Sequence, residues 1–177
     1  MMSQVFVSGH KSPDTDSIAA ALSYSYLKRR LGMDAVAVRA GEINKESRFA
    51  LDYFNLEEPI LVTSVERKNP EDEKQKVILV DHNESKQTID GMDDAEVLEI
   101  IDHHRFGDFE SENPIFILVR PVGCVNTVIY GLYKTNHIKP SREIAGIMLS
   151  AIISDTVLFR SPTTTEEDKE TEIGRAH

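Results

Sequence analysis

Three short apolar runs, each followed at once by residues able to bind a cation, constrain this chain more than any other feature. Val5, Phe6 and Val7 lead into Ser8, Gly9 and His10. Val77, Ile78, Leu79 and Val80 lead into Asp81, and the run from Val97 to Ile101 leads into Asp102, His103 and His104. Aliphatic runs of this length read as strands buried on both faces, as in a parallel sheet. Open parallel sheets bind their ligands beyond the carboxyl ends of the strands. The pattern therefore predicts an α/β fold, a mostly parallel sheet flanked by helices, with its polar residues gathered along one edge.

The segments between the runs support this. Asp16 or Ser17 can cap a helix through Ile18 to Leu27 that closes on Lys28, Arg29, Arg30 and Gly32, so cap, dipole and stop signals agree. Further strands fit residues 35–38, 60–62 and 115–119. Helices fit 45–54, 126–133 and 141–153, the last leading into Ser154, Asp155 and Thr156. A chain of 177 residues with 40% hydrophobic content can bury one well-packed core. No apolar stretch reaches the roughly 18 residues of a membrane span and the start lacks a secretory pattern, so a cytoplasmic protein is expected. A formal charge of -10 argues against a general nucleic-acid surface. The single Cys124 cannot form an internal disulfide and reads as a buried or loop thiol. Residues 1–162 are expected to form a metal-binding catalytic domain. Thr163 to Glu170 resembles a helix start that the chain ends too soon to complete. Residues 163–177, to His177, are thus expected to be a truncated linker or the beginning of a further domain, with a cloning tail at the end.

His10, Asp14, Asp16, Asp81, His103 and Asp155 can be read as one ligand set. Each has a plainer role available: 13–17 is a respectable turn with a helix cap, Asp81 can cap a following helix, and a strand-end histidine can be structural. Agreement among six positions favours the metal reading. Four aspartates balance two divalent cations, with His10 and His103 as neutral ligands. Two such cations ~3.5–4 Å apart suit displacement at phosphorus. Imidazole and carboxylate without thiolate suit manganese or cobalt, with magnesium and zinc as competitors. Asp102 can orient a neighbouring imidazole, and His104 can hand a proton or hydrogen bond to a leaving phosphate. Gly123 and Asn126 could bring backbone amides to an anion, or mark a plain turn. His82 and His137 receive no functional role.

The motifs at Gly9 to Ser17, Val80 to Asn83, Asp102 to Arg105 and Ser154 to Thr156 resemble those of the family II, manganese-dependent inorganic pyrophosphatases of the DHH phosphoesterase superfamily. The resemblance implies one manganese held by His10, Asp14 and Asp81, a second by Asp16, Asp81, His103 and Asp155, and Mg2+ accompanying the pyrophosphate. Asp81 would bridge the ions and His104 would act at the substrate. It also implies a homodimer formed through this domain. Such proteins carry a C-terminal substrate-binding domain rich in cations. This chain has no such segment, and only Lys11, Arg105 and Arg160 lie near the motifs, so weak or absent turnover by the chain alone is expected. Two alternatives stand beside this reading: a DHH-type phosphodiesterase acting on oligonucleotides or cyclic dinucleotides, and a non-catalytic metal-binding or dimerisation fragment.

Overall fold

Apolar runs that must be buried on both faces demand a central sheet, and the computed structural model, which describes residues 4–173, contains one. Its strands are β1 (Val5–Ser8), β2 (Ala35–Arg39), β3 (Ile60–Leu61), β4 (Lys76–Val80), β5 (Glu96–Asp102) and β6 (Phe116–Val119). All neighbours pair in parallel, in the order β3-β2-β1-β4-β5-β6. The chain grows outward from β1 in one direction, then restarts on the other side with β4. A topological switch point therefore lies between β1 and β4, where such sheets open a crevice at their carboxyl ends.

The helices are α1 (Thr15–Arg30), α2 (Lys45–Tyr53), α3 (Val125–Thr135), α4 (Arg142–Asp155) and α5 (Glu166–Ile173). Alternation along the strands divides the core. Val5, Val7, Ala35, Ala37, Ile78, Val80 and Ile101 face Ala20, Ala21, Tyr24 and Leu27 of α1, together with Val128 and Ile129 of α3 and Met148 of α4. The opposite face, with Val38, Val77, Leu79 and Ile100, is covered by Val65, Ile89 and Met92 from connecting segments. Helices thus bury one face and loops with 3-10 turns bury most of the other.

Two local expectations are corrected. Helix α1 begins before Asp16 and Ser17: Asp14 is the cap, its carboxylate accepting from Ser17 N at 2.9 Å. The helix expected to remain incomplete near the C-terminus does form as α5. Thr165 and Asp168 cap it reciprocally, with Thr165 N donating to Asp168 Oδ2 at 2.7 Å and Asp168 N to Thr165 Oγ1 at 3.3 Å. His177 lies outside the described residues. After α4 the chain turns through Val157, Leu158 and Phe159, all with φ between 49° and 63°. Left-handed backbone costs a non-glycine residue roughly 1–2 kcal/mol, so tertiary contacts on both sides must hold this corner.

Leu27 is 1% exposed beneath α1, whereas Leu31 is 48% exposed. Leu27→Ala is expected to cost about 2–5 kcal/mol in denaturant unfolding, and Leu31→Ala to stay within about 0.5 kcal/mol.

Candidate metal centre

The site is assembled from the ends of β1, β4, β5 and α4 and the start of α1. Past β1 the chain must turn tightly: a Cβ on Gly9 would sit 1.9 Å from Ser17 Oγ, and that hydroxyl accepts from His10 N at 3.0 Å. Glycine therefore lets the strand end press onto α1 and aim His10 across the sheet. Asp81 follows β4 in the left-handed region, φ 63°, where aspartate is tolerated better than most residues. No helix starts at Asp81; the next turn is a 3-10 turn at Ser85–Gln87 with Glu84 at its N-cap position, so a capping role for Asp81 is excluded.

Asp81 stands between two groups. His10 Nε2 is 3.3 Å from its Oδ2 and 3.7 Å from Asp14 Oδ1. His103 Nε2 is 3.2 Å from its Oδ1 and 3.6 Å from Asp16 Oδ2. Ligand atoms of His10, Asp14 and Asp81 lie within 4.8 Å of one another, as do those of Asp16, His103 and Asp155. Both Asp81 oxygens are buried without a hydrogen-bond partner, a state shared among the described residues with His82 Nε2 alone. A desolvated carboxylate in that condition is costly unless cations neutralise it. The residues present therefore fit cations beside Asp81. All six expected ligands are brought together.

The protein's own electrostatics point the same way. Burial works against charged His10, yet Asp14 and Asp81 outweigh it and hold its pKa up at about 10. His103 is likewise disfavoured by burial but raised by Asp81 and Asp16 to about 9. Burial and the neighbouring Asp16 push Asp81 and Asp155 upward. So many acids converge that protons are held where cations could sit.

Surrounding contacts fix the side chains. His103 Nδ1 donates to Val122 O at 2.9 Å, which leaves Nε2 as the ligand atom. Asp16 is gripped by the start of α3: Val125 N donates at 2.8 Å, Asn126 Nδ2 at 2.6 Å and the Cys124 thiol at 2.8 Å. Asp102 accepts from His103 N at 2.7 Å, His104 Nδ1 at 2.8 Å and Asn83 Nδ2 at 2.6 Å. With its oxygens so occupied, Asp102 orients His104, although its position beside Asp81 and the two histidines puts it within reach of a cation. Asn83 also spans to Arg105 O and Gly107 N, tying the two strand-end loops.

Several residues take roles that their sequence positions did not disclose. The amides near Gly123 and Asn126 do approach anions, but these are the chain's own carboxylates, Asp168 for Gly123 and Asp16 for Asn126, so they are not open to a substrate. His82 is buried, its Nδ1 donating to Val80 O, and burial lowers its pKa to about 4. The clamps from Asn83, Val122 and Cys124 lay in turn-like or apolar sequence with no distinctive spacing. Of the three nearby cations, Lys11 pairs with Asp90 and Arg105 with Glu84.

Residues 4–152 match the DHH family, N-terminal domain. The chain belongs to the DHH family. Relatives described as manganese-dependent inorganic pyrophosphatases include proteins of Bacillus licheniformis, 53% identical, and Exiguobacterium sp., 51% identical, each aligned over 94% of this chain and 52% of its own length. The DHH-family chain thus spans about half the length of the curated relatives it matches. A solved structure described as a family II inorganic pyrophosphatase from Methanococcus jannaschii superposes with a TM-score of 0.86 at 41% identity, over 98% of this chain and 55% of that one. An exopolyphosphatase-related protein from Bacteroides fragilis shares the fold at a TM-score of 0.67 and 17% identity, covering 99% of this chain and 53% of that one.

The raised histidines give a signed pH dependence in chelator. A group that binds its proton more tightly when folded contributes stability that is whole below its unfolded pKa, 6.5 for histidine, and is lost as pH rises through the folded pKa. His10 and His103 should therefore cost the DHH domain stability between about pH 7 and pH 10, and Asp155 acts in the same direction. Thermal melts in EDTA are expected to fall across that window. A divalent cation able to take the place of those protons should lift them most at the alkaline end. A flat EDTA profile would contradict this reading of the cluster.

Proposed function

We propose that this chain carries the two-cation half of a manganese-dependent inorganic pyrophosphatase, hydrolysing pyrophosphate to two phosphates. The observation that carries the reading is Asp81, whose two buried and unpartnered oxygens each face a different histidine and aspartate group. Relatives described as manganese-dependent pyrophosphatases at 51–53% identity supply the reaction and the metal. His10, Asp14 and Asp81 would hold one ion, and Asp16, Asp81, His103 and Asp155 the other. Manganese is the preferred ion, Co2+ a substitute, and Mg2+ the companion of the substrate. When bound, the pair supplies positive charge and Lewis acidity beside Asp81.

The chain's own residues then divide the remaining work. Asp102 holds His104 by Nδ1, and the His104 side chain is 53% exposed, so its Nε2 is free to hold a proton or hydrogen bond at a departing phosphate. Lys11 and Arg105 already answer carboxylates, leaving Arg160 as a thin source of charge for a polyanion. Turnover by this chain alone is therefore expected to be weak or absent. Residues 1–162 carry the metal ligands, and 163–177 lead toward a further, substrate-binding domain. The edge strand β6, with Phe116 50% and Ile117 43% exposed, supports a homodimer paired through this domain. Among the described residues no helix is long and apolar enough to cross a membrane, which accords with a cytoplasmic enzyme.

The test is metal binding and phosphate release from pyrophosphate, beside Asp81→Asn and with a dinucleotide as second substrate. About two manganese ions per chain are expected, both weakened by Asp81→Asn because each group uses one of its oxygens. Absence of manganese binding would refute the reading. Cleavage of the dinucleotide alone would move the chain to the phosphodiesterases.

A further inference from the structure

The half of the centre built from Asp16, His103 and Asp155 depends on a single turn. Residues 122–126 offer Val122 O to His103 Nδ1 at 2.9 Å, and Val125 N, Asn126 N, Asn126 Nδ2 and the Cys124 thiol to Asp16. The same turn runs close to the residue after Asp155: a Cβ on Gly123 would lie 3.1 Å from Thr156 Cγ2. Asp16 and His103 thus take their placement from one stretch of backbone, and Asp155 completes the group beside them. Among the described residues no hydrogen bond joins His10 or Asp14 to this turn: His10 N is held by Ser17 Oγ and Asp14 caps α1 through Ser17 N.

The turn is itself held from behind, by a residue outside the motifs. Asp168 on α5 is 0% exposed. Its Oδ2 accepts from Gly123 N at 2.8 Å and its Oδ1 from Thr127 Oγ1 at 2.6 Å. Thr165 N and Thr165 Oγ1 complete its shell at 2.7 and 2.8 Å. A carboxylate shared between the first turn of α5 and the start of α3 joins the two segments. The strained left-handed corner at Val157 to Phe159 brings the chain back so that α5 can make this contact.

We propose that Asp168 is a positioning residue for the Asp16, His103 and Asp155 half of the metal centre, acting through the 122–126 turn. This rests on the reading of the cluster as a two-cation site. The carboxylate fixes Gly123 N and Thr127, the turn then fixes the donors that aim Asp16 and the carbonyl that aims His103. Loss of a partner bonded directly to a ligand weakens metal binding by about 10–100-fold; Asp168 stands one step further back, which sets its effect at the lower end of that range. The segment that leaves this domain is thereby coupled to one half of the centre and not to the other.

Manganese titration of the whole chain tests this, in two backgrounds that each leave one group: His10→Ala and His103→Ala. Asp168→Ala is expected to weaken binding about tenfold or more in the His10→Ala background, and by less than about threefold in the His103→Ala background. Asp168→Asn, which keeps an oxygen for Gly123 N, should recover most of the loss. Equal weakening in both backgrounds, or a lower melting temperature with unchanged affinity, would overturn the proposal and leave Asp168 a packing residue. Should Asp168→Ala fail to fold, Thr127→Val decides by the same comparison, with Thr127→Ser behaving as the parent. No manganese binding by the unaltered chain would instead sink the two-cation reading beneath it.

Discussion

A carboxylate buried at the end of a central strand is the constraint around which this molecule is arranged. Asp81 has both oxygens out of water and no donor to satisfy them. Burial of an uncompensated charge is expensive enough that a protein either keeps such a group protonated or surrounds it with positive charge. Here it is flanked by His10 and His103, whose pKa values it helps to hold near 10 and 9. Protons are held at positions that fit cations, so folding and pH are linked through one side chain.

The sheet order explains why the compensation is possible. Because β1 and β4 are neighbours at the switch point, His10 and Asp81 meet although seventy-one positions of chain separate them. Strand β5 lies on the other side of β4 and delivers His103 to the second oxygen of the same carboxylate. The two groups are nevertheless supported differently. One sits in the turn between β1 and α1 and is held locally, whereas the other depends on the start of α3, whose amides grip Asp16. Favourable placement of a carboxylate at a helix N-terminus is part of that grip.

Much of this was legible in the residues. Apolar runs ending on Asp81 and Asp102 announce buried strands and a polar edge, since short aliphatic runs stopped at once by polar residues fit strands covered on both faces. The six candidate ligands meet in space. The cap of α1 is not legible in the residues because Asp14, Asp16 and Ser17 are all competent caps, and only the path of the turn from Gly9 decides which faces the free amides. Helix α5 is not legible as a complete element because its Asp168 is anchored on Gly123 and Thr127, far away in the chain. Short helices are marginal without such packing.

The sequence by itself determined the fold class, the order of strands and helices, and the kind of chemistry the ligand set allows, because residue type and period are local properties. Tertiary structure alone decided which groups compensate which charges: that Asn83 donates to Asp102, that the amides near Gly123 and Asn126 are spent on Asp168 and Asp16, and that Cys124 donates to Asp16. Such pairings join residues distant in the chain, and hydrogen bonds depend on direction and on distances of a few ångströms, which no spacing along a sequence encodes.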